Sequence, residues 1–331
     1  MGNGESNKNI EEENTSTLSN RDELSLNIER GLDEVSEEFS TRIDLDRSAE
    51  RVQTWSVAKN IVKNFAPVPW FIWRLSNFVF GGSGQKKINA GFVLGLNNLL
   101  FAAAQDPILG CGKKVSNTQT ALQSLSADVV ATCAVIHSIC RKLSMKDSER
   151  IWRPMLDDAL LRARIGHMVG SVEPEFGSGK GMLAGFSGRS GLVVLIATGT
   201  LEQAKEAVDQ LTYGGEISSV GLKIYGCEPL QVSAMLLSAC GCGKDAAFGM
   251  AEFCVSGNKF LNEDSNKNIE ERRWQAAFTI CEAIRKQRVD EASSAVWETL
   301  GFFEKRECEA MIESAKNIIR SGHNWNWLIG R

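Results

Sequence analysis

The sequence predicts an all-α fold from three observations. Apolar residues recur at spacings of three and four along most of the chain. The one β-branched run, Leu192-Val193-Val194-Leu195-Ile196, is short and isolated, and a buried helix accommodates it as well as a strand does. Nothing alternates strand and helix signals as a Rossmann sheet or a barrel requires. Of 331 residues, 43% are hydrophobic and 24% charged, which excludes collagen-like, coiled-coil and wholly disordered chains.

The elements follow in order. Residues 1–19 are Asn, Ser, Thr and Glu with almost no large apolar side chain, so they predict a disordered acidic tail. Asn20 with Glu23 three residues on has the form of a capping box. Leu24, Ile28, Leu32, Val35, Phe39 and Ile43 then form one apolar stripe, predicting an amphipathic helix over 20–46 that lies on the body or on a partner. A helical domain is predicted over 47–321, with an N-terminal part at 47–145 and a second part at 146–321, and a tail over 322–331. Its predicted helices are 49–65, 70–80 after the stiff Ala66-Pro67-Val68-Pro69 break, 87–104, 107–115, 117–126, 127–143, 148–170, 180–188, 190–197, 200–212, 215–224, 228–239, 243–255, 270–287, 290–300 and 303–321.

Charge and composition narrow the function classes. The net charge of −4 divides unevenly, because residues 1–50 carry 14 acids and 5 bases. The body is therefore mildly basic, without the dense stripe that nucleic-acid binding calls for, and no nucleic-acid partner is expected. The longest apolar stretches, 65–80 and 91–104, are interrupted by Arg74 and by Asn97-Asn98 and fall short of about 20 residues, so no membrane span is expected. Met1-Gly2-Asn3-Gly4-Glu5-Ser6 fits a loose myristoylation pattern, but the acidic Glu11-Glu12-Glu13 beside it would gain nothing from anionic lipid. Nine cysteines without a secretory signal predict reduced thiols and a cytoplasmic location.

Local motifs for chemistry are few. Phe176-Gly177-Ser178-Gly179-Lys180-Gly181 resembles part of a phosphate-binding loop, but Pro174 stands where that loop needs its first glycine and Gly181 where it needs Ser or Thr. An exposed connecting loop is expected there. Cys227, Cys240, Cys242 and Cys254 form a candidate thiol or metal site; their spacing differs from the paired knuckles of structural zinc, and small buried hydrophobes are the competing reading. Of the three histidines, His137 lies on an apolar helix, His167 ends a basic helix where the dipole favours a cation, and His323 lies in the tail. Asp157 and Asp158 are adjacent and face apart on one helix. The segment Ser6-Asn7-Lys8-Asn9-Ile10-Glu11-Glu12 recurs as Ser265-Asn266-Lys267-Asn268-Ile269-Glu270-Glu271.

Several phrases, taken in order, resemble the bacterial HDOD domain, a non-hydrolytic relative of the His-Asp metal-dependent phosphohydrolases. Ala66-Pro67-Val68-Pro69 is similar to that domain's Pro-rich opening, and Gln105-Asp106-Pro107-Ile108-Leu109 with Val115-Ser116-Asn117 to its Asp-Pro-x-Leu helix and corner. Thr120-Ala121-Leu122 through Leu125, Ile151-Trp152-Arg153, and Ala184-Gly185-Phe186 through Gly191-Leu192 resemble its next helices. So do Tyr225-Gly226-Cys227 through Leu237 and Leu300-Gly301-Phe302. The resemblance covers roughly 60–321. It implies an HD-like multi-helix body, and it locates degenerate metal-site positions at Pro154, Gly188, Arg189, Pro229, Phe253 and Cys254, where the family pattern has His or Asp. The hydrolase chemistry needs those ligands to bind cations and lower the pKa of a bound water. Arg189, with Arg153, is instead a candidate for anion binding.

The expectation is a non-enzymatic signal-transduction or regulatory scaffold that contacts protein partners, with no cofactor and no catalytic residue. Two alternatives stand beside it: a divergent metal-dependent phosphohydrolase, and a cysteine-based redox or metal sensor.

Overall fold

The computed structural model describes residues 5–41, 48–82, 87–93, 95–110, 112–256, 268–289, 292–322 and 325–330. Helix α1 (Glu5–Thr41) is one element of 37 residues, about 55 Å long at 1.5 Å per residue. It runs through Asn20 without a cap and reaches back into the stretch predicted as a disordered tail. Glu-rich sequence continues a helix at little cost once its far end is anchored. That anchor is the predicted stripe: Leu32, Val35 and Phe39 are fully buried and Ile28 is half-buried, whereas Ile43 lies outside the described residues. Phe39 packs on Trp55 and Phe248 with ring centroids 5.6 and 5.5 Å apart. The helix therefore lies on the body, against α2 (Ser48–Phe65), to which Asp33 and Glu29 are tied by Lys59 and Lys63.

Beyond the Pro67–Pro69 break comes α3 (Trp70–Phe80); the break is held to the core by the Ser138 hydroxyl, which donates to the Pro67 carbonyl at 2.8 Å. Two predicted helices are not formed as expected. The 87–104 stretch gives a 3-10 turn at Ala90–Val93 and then α4 (Asn97–Gln105), because Gly95 adopts φ +88° between them. The 107–115 stretch is a turn, not a helix. Asp106 closes it by accepting from the backbone N–H groups of Ile108 and Leu109, and Gly112 at φ +67° prevents continuation.

Next come α5 (Thr118–Ser124), capped by Asn117, α6 (Ala127–Ser144) and α7 (Glu149–Gly170). The two helices predicted at 180–188 and 190–197 are one, α8 (Ser178–Thr198), which takes in the β-branched run as buried helix. The remaining helices lie close to their predicted ranges: α9 (Leu201–Thr212), α10 (Ile217–Tyr225), α11 (Pro229–Ala239), α12 (Lys244–Ser256), α13 (Ile269–Arg285), the short α14 (Ser294–Glu298) and α15 (Lys305–Ser321). No strand occurs among the described residues.

Helix α8 is the axis of the molecule, packed by α6, α7, α11 and α13. It is long and apolar enough to cross a membrane, but 89% of its apolar window is buried inside the fold. It lies closest to α7, where glycines remove the side chains between the two backbones. A Cβ added at Gly166 would stand 2.0 Å from the Gly181 carbonyl oxygen, and one at Gly185 would stand 2.1 Å from that of Arg162. Buried residues from 47–145 and from 146–321 share one apolar core. The segment predicted as a tail also joins it: Trp325, Leu328 and Ile329 are buried, the last two in a 3-10 turn at Asn326–Ile329.

Candidate functional site

Of the positions that the HDOD resemblance marks as degenerate, Gly188 and Arg189 lie on α8, and Pro229, Phe253 and Cys254 lie on α11 and α12, which pack against it. A Cβ at Gly188 would lie 2.9 Å from a Glu282 oxygen and 3.4 Å from the Phe278 ring, and Phe278 packs on Phe253 with ring centroids 4.5 Å apart. One turn further on, the Pro229 carbonyl abuts Gly191. Pro229 is the first residue of α11, where its missing N–H costs nothing. Pro154 lies inside α7, where it omits one helical hydrogen bond and lines a groove described below. Cys254 is buried on α12.

Around Arg189 the structure builds a six-residue ion cluster. Asp158 on α7 accepts through Oδ2 from Arg162 Nε at 2.9 Å and pairs there with Arg189 Nε at 3.2 Å; its Oδ1 accepts from Arg285 Nε at 2.6 Å. Glu282 on α13 bonds Arg162 Nη1 and lies 3.4 Å from Arg189 Nη1, with Lys286 on its other oxygen at 3.3 Å. Arg162 is 2% exposed. Burial pushes the Asp158 carboxyl up, but the Arg162, Arg189 and Arg285 guanidiniums outweigh it and hold the group below the usual carboxylate range. Burial also draws the Arg189 pKa down, against the pull of Glu282 and Asp158.

This donor set does not suit a metal. Both carboxylates are already engaged by guanidiniums, the cluster contains no imidazole, and among the described residues no group of three or more His, Cys, Asp or Glu is placed to hold an ion. The anion reading of Arg153 and Arg189 meets a similar obstacle. Arg153 directs Nε to Asp157, Nη1 to Glu149 and Nη2 to Asn326 at 2.9, 3.3 and 2.8 Å, so both arginines face carboxylates. Asp158 and Arg162 stand at i, i+4 on one helix face, a local signal the sequence carries; Glu282 and Arg285 give none toward Arg189.

The other candidates lie outside this cluster. Cys227, Cys240, Cys242 and Cys254 are all buried. Burial pushes the thiols of Cys227 and Cys242 up to about 12 and that of Cys240 well above its ordinary value, away from the reactive thiolate. Cys242 Sγ lies 3.6 Å from the Ser76 hydroxyl. The glycine-rich stretch is not the exposed loop expected. Gly177 precedes α8 at φ +89°, Gly179 and Gly181 are buried, and the Gly179 N–H donates to Asp128 Oδ2 at 2.6 Å. The Asp128 carboxylate thus occupies the place at the helix start where an anion would sit. Lys180 is paired with Glu270. His167, expected as a cation, is half-buried; burial pushes its pKa down, with Asp128 and Asp106 opposing only in part. His137 is half-buried, with its Nδ1 2.7 Å from the Leu328 carbonyl oxygen. His323 lies outside the described residues.

No protein-family model and no curated protein matches the chain. Two solved structures resemble it. One, from Marinobacter aquaeolei, is named for signal transduction; it is 14% identical with a TM-score of 0.59, over 87% of this chain and 68% of that one. The other, from Shewanella amazonensis, is named as a phosphohydrolase; it is 13% identical with a TM-score of 0.54, over 80% of this chain and 94% of that one. The class is therefore an all-α globular body with the helical fold of these two structures.

Proposed function

We propose that the chain is a non-enzymatic regulatory protein with an HDOD-like body, acting through protein–protein contacts. The observation that supports this reading is the Arg162–Asp158–Arg189–Glu282–Arg285 cluster: around Arg189, one of the positions where the resemblance locates metal ligands, guanidiniums engage the nearby carboxylates. The neighbour named for signal transduction supports it at the level of fold. A divergent metal-dependent phosphohydrolase is the rival, supported by the name of the other neighbour. The thiol-sensor alternative draws no support from buried, protonated cysteines.

The deciding experiment measures metal content of the full chain, together with turnover of a generic phosphodiester in the presence of Mn, Fe or Zn. The expected result is sub-stoichiometric metal and no turnover. Stoichiometric metal with turnover abolished by Asp158→Asn would establish the hydrolase instead.

A further inference from the structure

Residues 325–330 do not pack as a simple continuation of α15, which ends at Gly322 with φ +63°. They cross to three other helices, each holding a different group. Trp325 Nε1 donates to Asp106 Oδ2, at the end of α4, at 2.9 Å; Asn326 Oδ1 accepts from Arg153 on α7 at 2.8 Å; the Leu328 carbonyl lies 2.7 Å from His137 Nδ1 on α6. Arg164 lies over the Trp325 ring, 6.0 Å from its centroid. Leu328 and Ile329 fill the apolar part of the same seat.

The floor under this segment is unusual for a core. Asp106, His137, Arg164 and His167 are ionisable groups gathered at or near one aromatic plug, and plain apolar packing has no use for them. The plug also leaves the seat incompletely satisfied, since the buried His167 Nδ1 and Trp327 Nε1 have no hydrogen-bond partner. Next to Trp325 the seat opens into a groove of about 260 Å³, whose lining includes Pro154, Leu161, Arg285, Ile318 and Ile319. The groove leaves room for residues that the resident segment does not supply.

We infer that 325–330 is an internal ligand in a peptide-binding seat built by the end of α4 with α6 and α7, and that the seat accepts a partner segment of the same chemistry. That chemistry is an indole N–H for Asp106, followed three and four residues on by branched aliphatics and a free carbonyl for His137. This deepens the proposed function, and rests on it, by naming where a protein contact is made. In the closed chain the tethered segment competes at high effective concentration, so an external peptide gains access only when the segment lifts.

The test uses the full chain and a fluorescent peptide of residues 322–331. With Trp325→Ala and Leu328→Ala together, the chain is expected to bind the peptide about tenfold more tightly than wild type or better, because the competitor is weakened. A peptide with alanine at both tryptophans is expected to bind neither chain. Equal affinity for the two chains, or no binding by a variant that keeps its helical circular dichroism, overturns the inference. Should the variant unfold, hydrogen exchange of the wild-type chain decides: amides of 325–330 are expected to open locally, ahead of α6 and α8. Exchange of those amides only through global unfolding makes the segment ordinary core and overturns the proposal. Neither measurement reads metal content or turnover, so this inference and the functional reading fail separately.

Discussion

Arg189 Nε lies 3.2 Å from Asp158 Oδ2, joining α8 to α7 at the point where Arg162 and Arg285 reach the same carboxylate. One acid thus answers three guanidiniums from three helices. Neutralising it leaves the largely buried Arg162 and Arg189 short of counter-charge. Asp158→Asn is expected to lower unfolding free energy by about 3–5 kcal/mol, read by urea denaturation at pH 7. A loss below about 1 kcal/mol would mean that solvent already screens the cluster. Because the folded carboxyl titrates below its unfolded value, its contribution is present above the unfolded value and is lost as pH falls through the folded one, so the variant should show a shallower acid slope.

The α7–α8 contact makes a second prediction. Gly166→Ala and Gly185→Ala each drive a methyl against a backbone carbonyl, which no rotamer change relieves. Each is expected to cost about 1–3 kcal/mol or more, despite alanine's better helix propensity. Thermal unfolding of the two variants checks it, and an unchanged or raised Tm would show that the helices separate freely.

Burial lowers the pKa of both His137 and His167, so the folded chain holds them neutral. The unfolded chain takes up protons first as pH falls below about 6.5. Stability should therefore decline from there down through the folded values, with a smaller slope in His167→Phe. Urea midpoints at several pH values between 7.5 and 5 measure it.

Thiol labelling separates buried from accessible cysteines. At pH 8 the half-exposed Cys308 should react with a disulfide reagent in the native chain, while Cys227, Cys240 and Cys242 should react only at the unfolding rate. Rapid native labelling of Cys240 or Cys242 would restore the sensor reading.

Phe39 tests whether α1 belongs to the body. Phe39→Ala empties a site between Trp55 and Phe248 and is expected to cost about 3–5 kcal/mol. Removing residues 1–19 is expected to leave the unfolding midpoint nearly unchanged, whereas removing 1–46 takes Leu32, Val35 and Phe39 out of the core.

Much of the fold was legible because helix periodicity and caps are local. Asn117 caps α5, Thr200 and Gln203 form the box that opens α9, and Pro229 opens α11, each from residues adjacent in sequence. Errors came where glycine controls the backbone: Gly95 and Gly112 broke predicted helices, while Gly188 and Gly191 left α8 intact because its surroundings admit no side chain there. The site was half legible. The substitution at Arg189 could be read, but its partners Asp158 and Glu282 lie far apart in sequence, and only the packing of α7 and α13 on α8 brings them to it.

The glycine contact between α7 and α8 also limits how this molecule can move. Where Gly166, Gly170, Gly181 and Gly185 bring the two backbones together, no side chain stands between them whose rotamer could absorb a small rearrangement. A displacement of either helix is expected to carry the other with it. Because α7 bears Arg153 and Arg164 at the seat of residues 325–330 and also Asp158, which Arg189 of α8 pairs, lifting the segment is expected to be felt in the ion cluster.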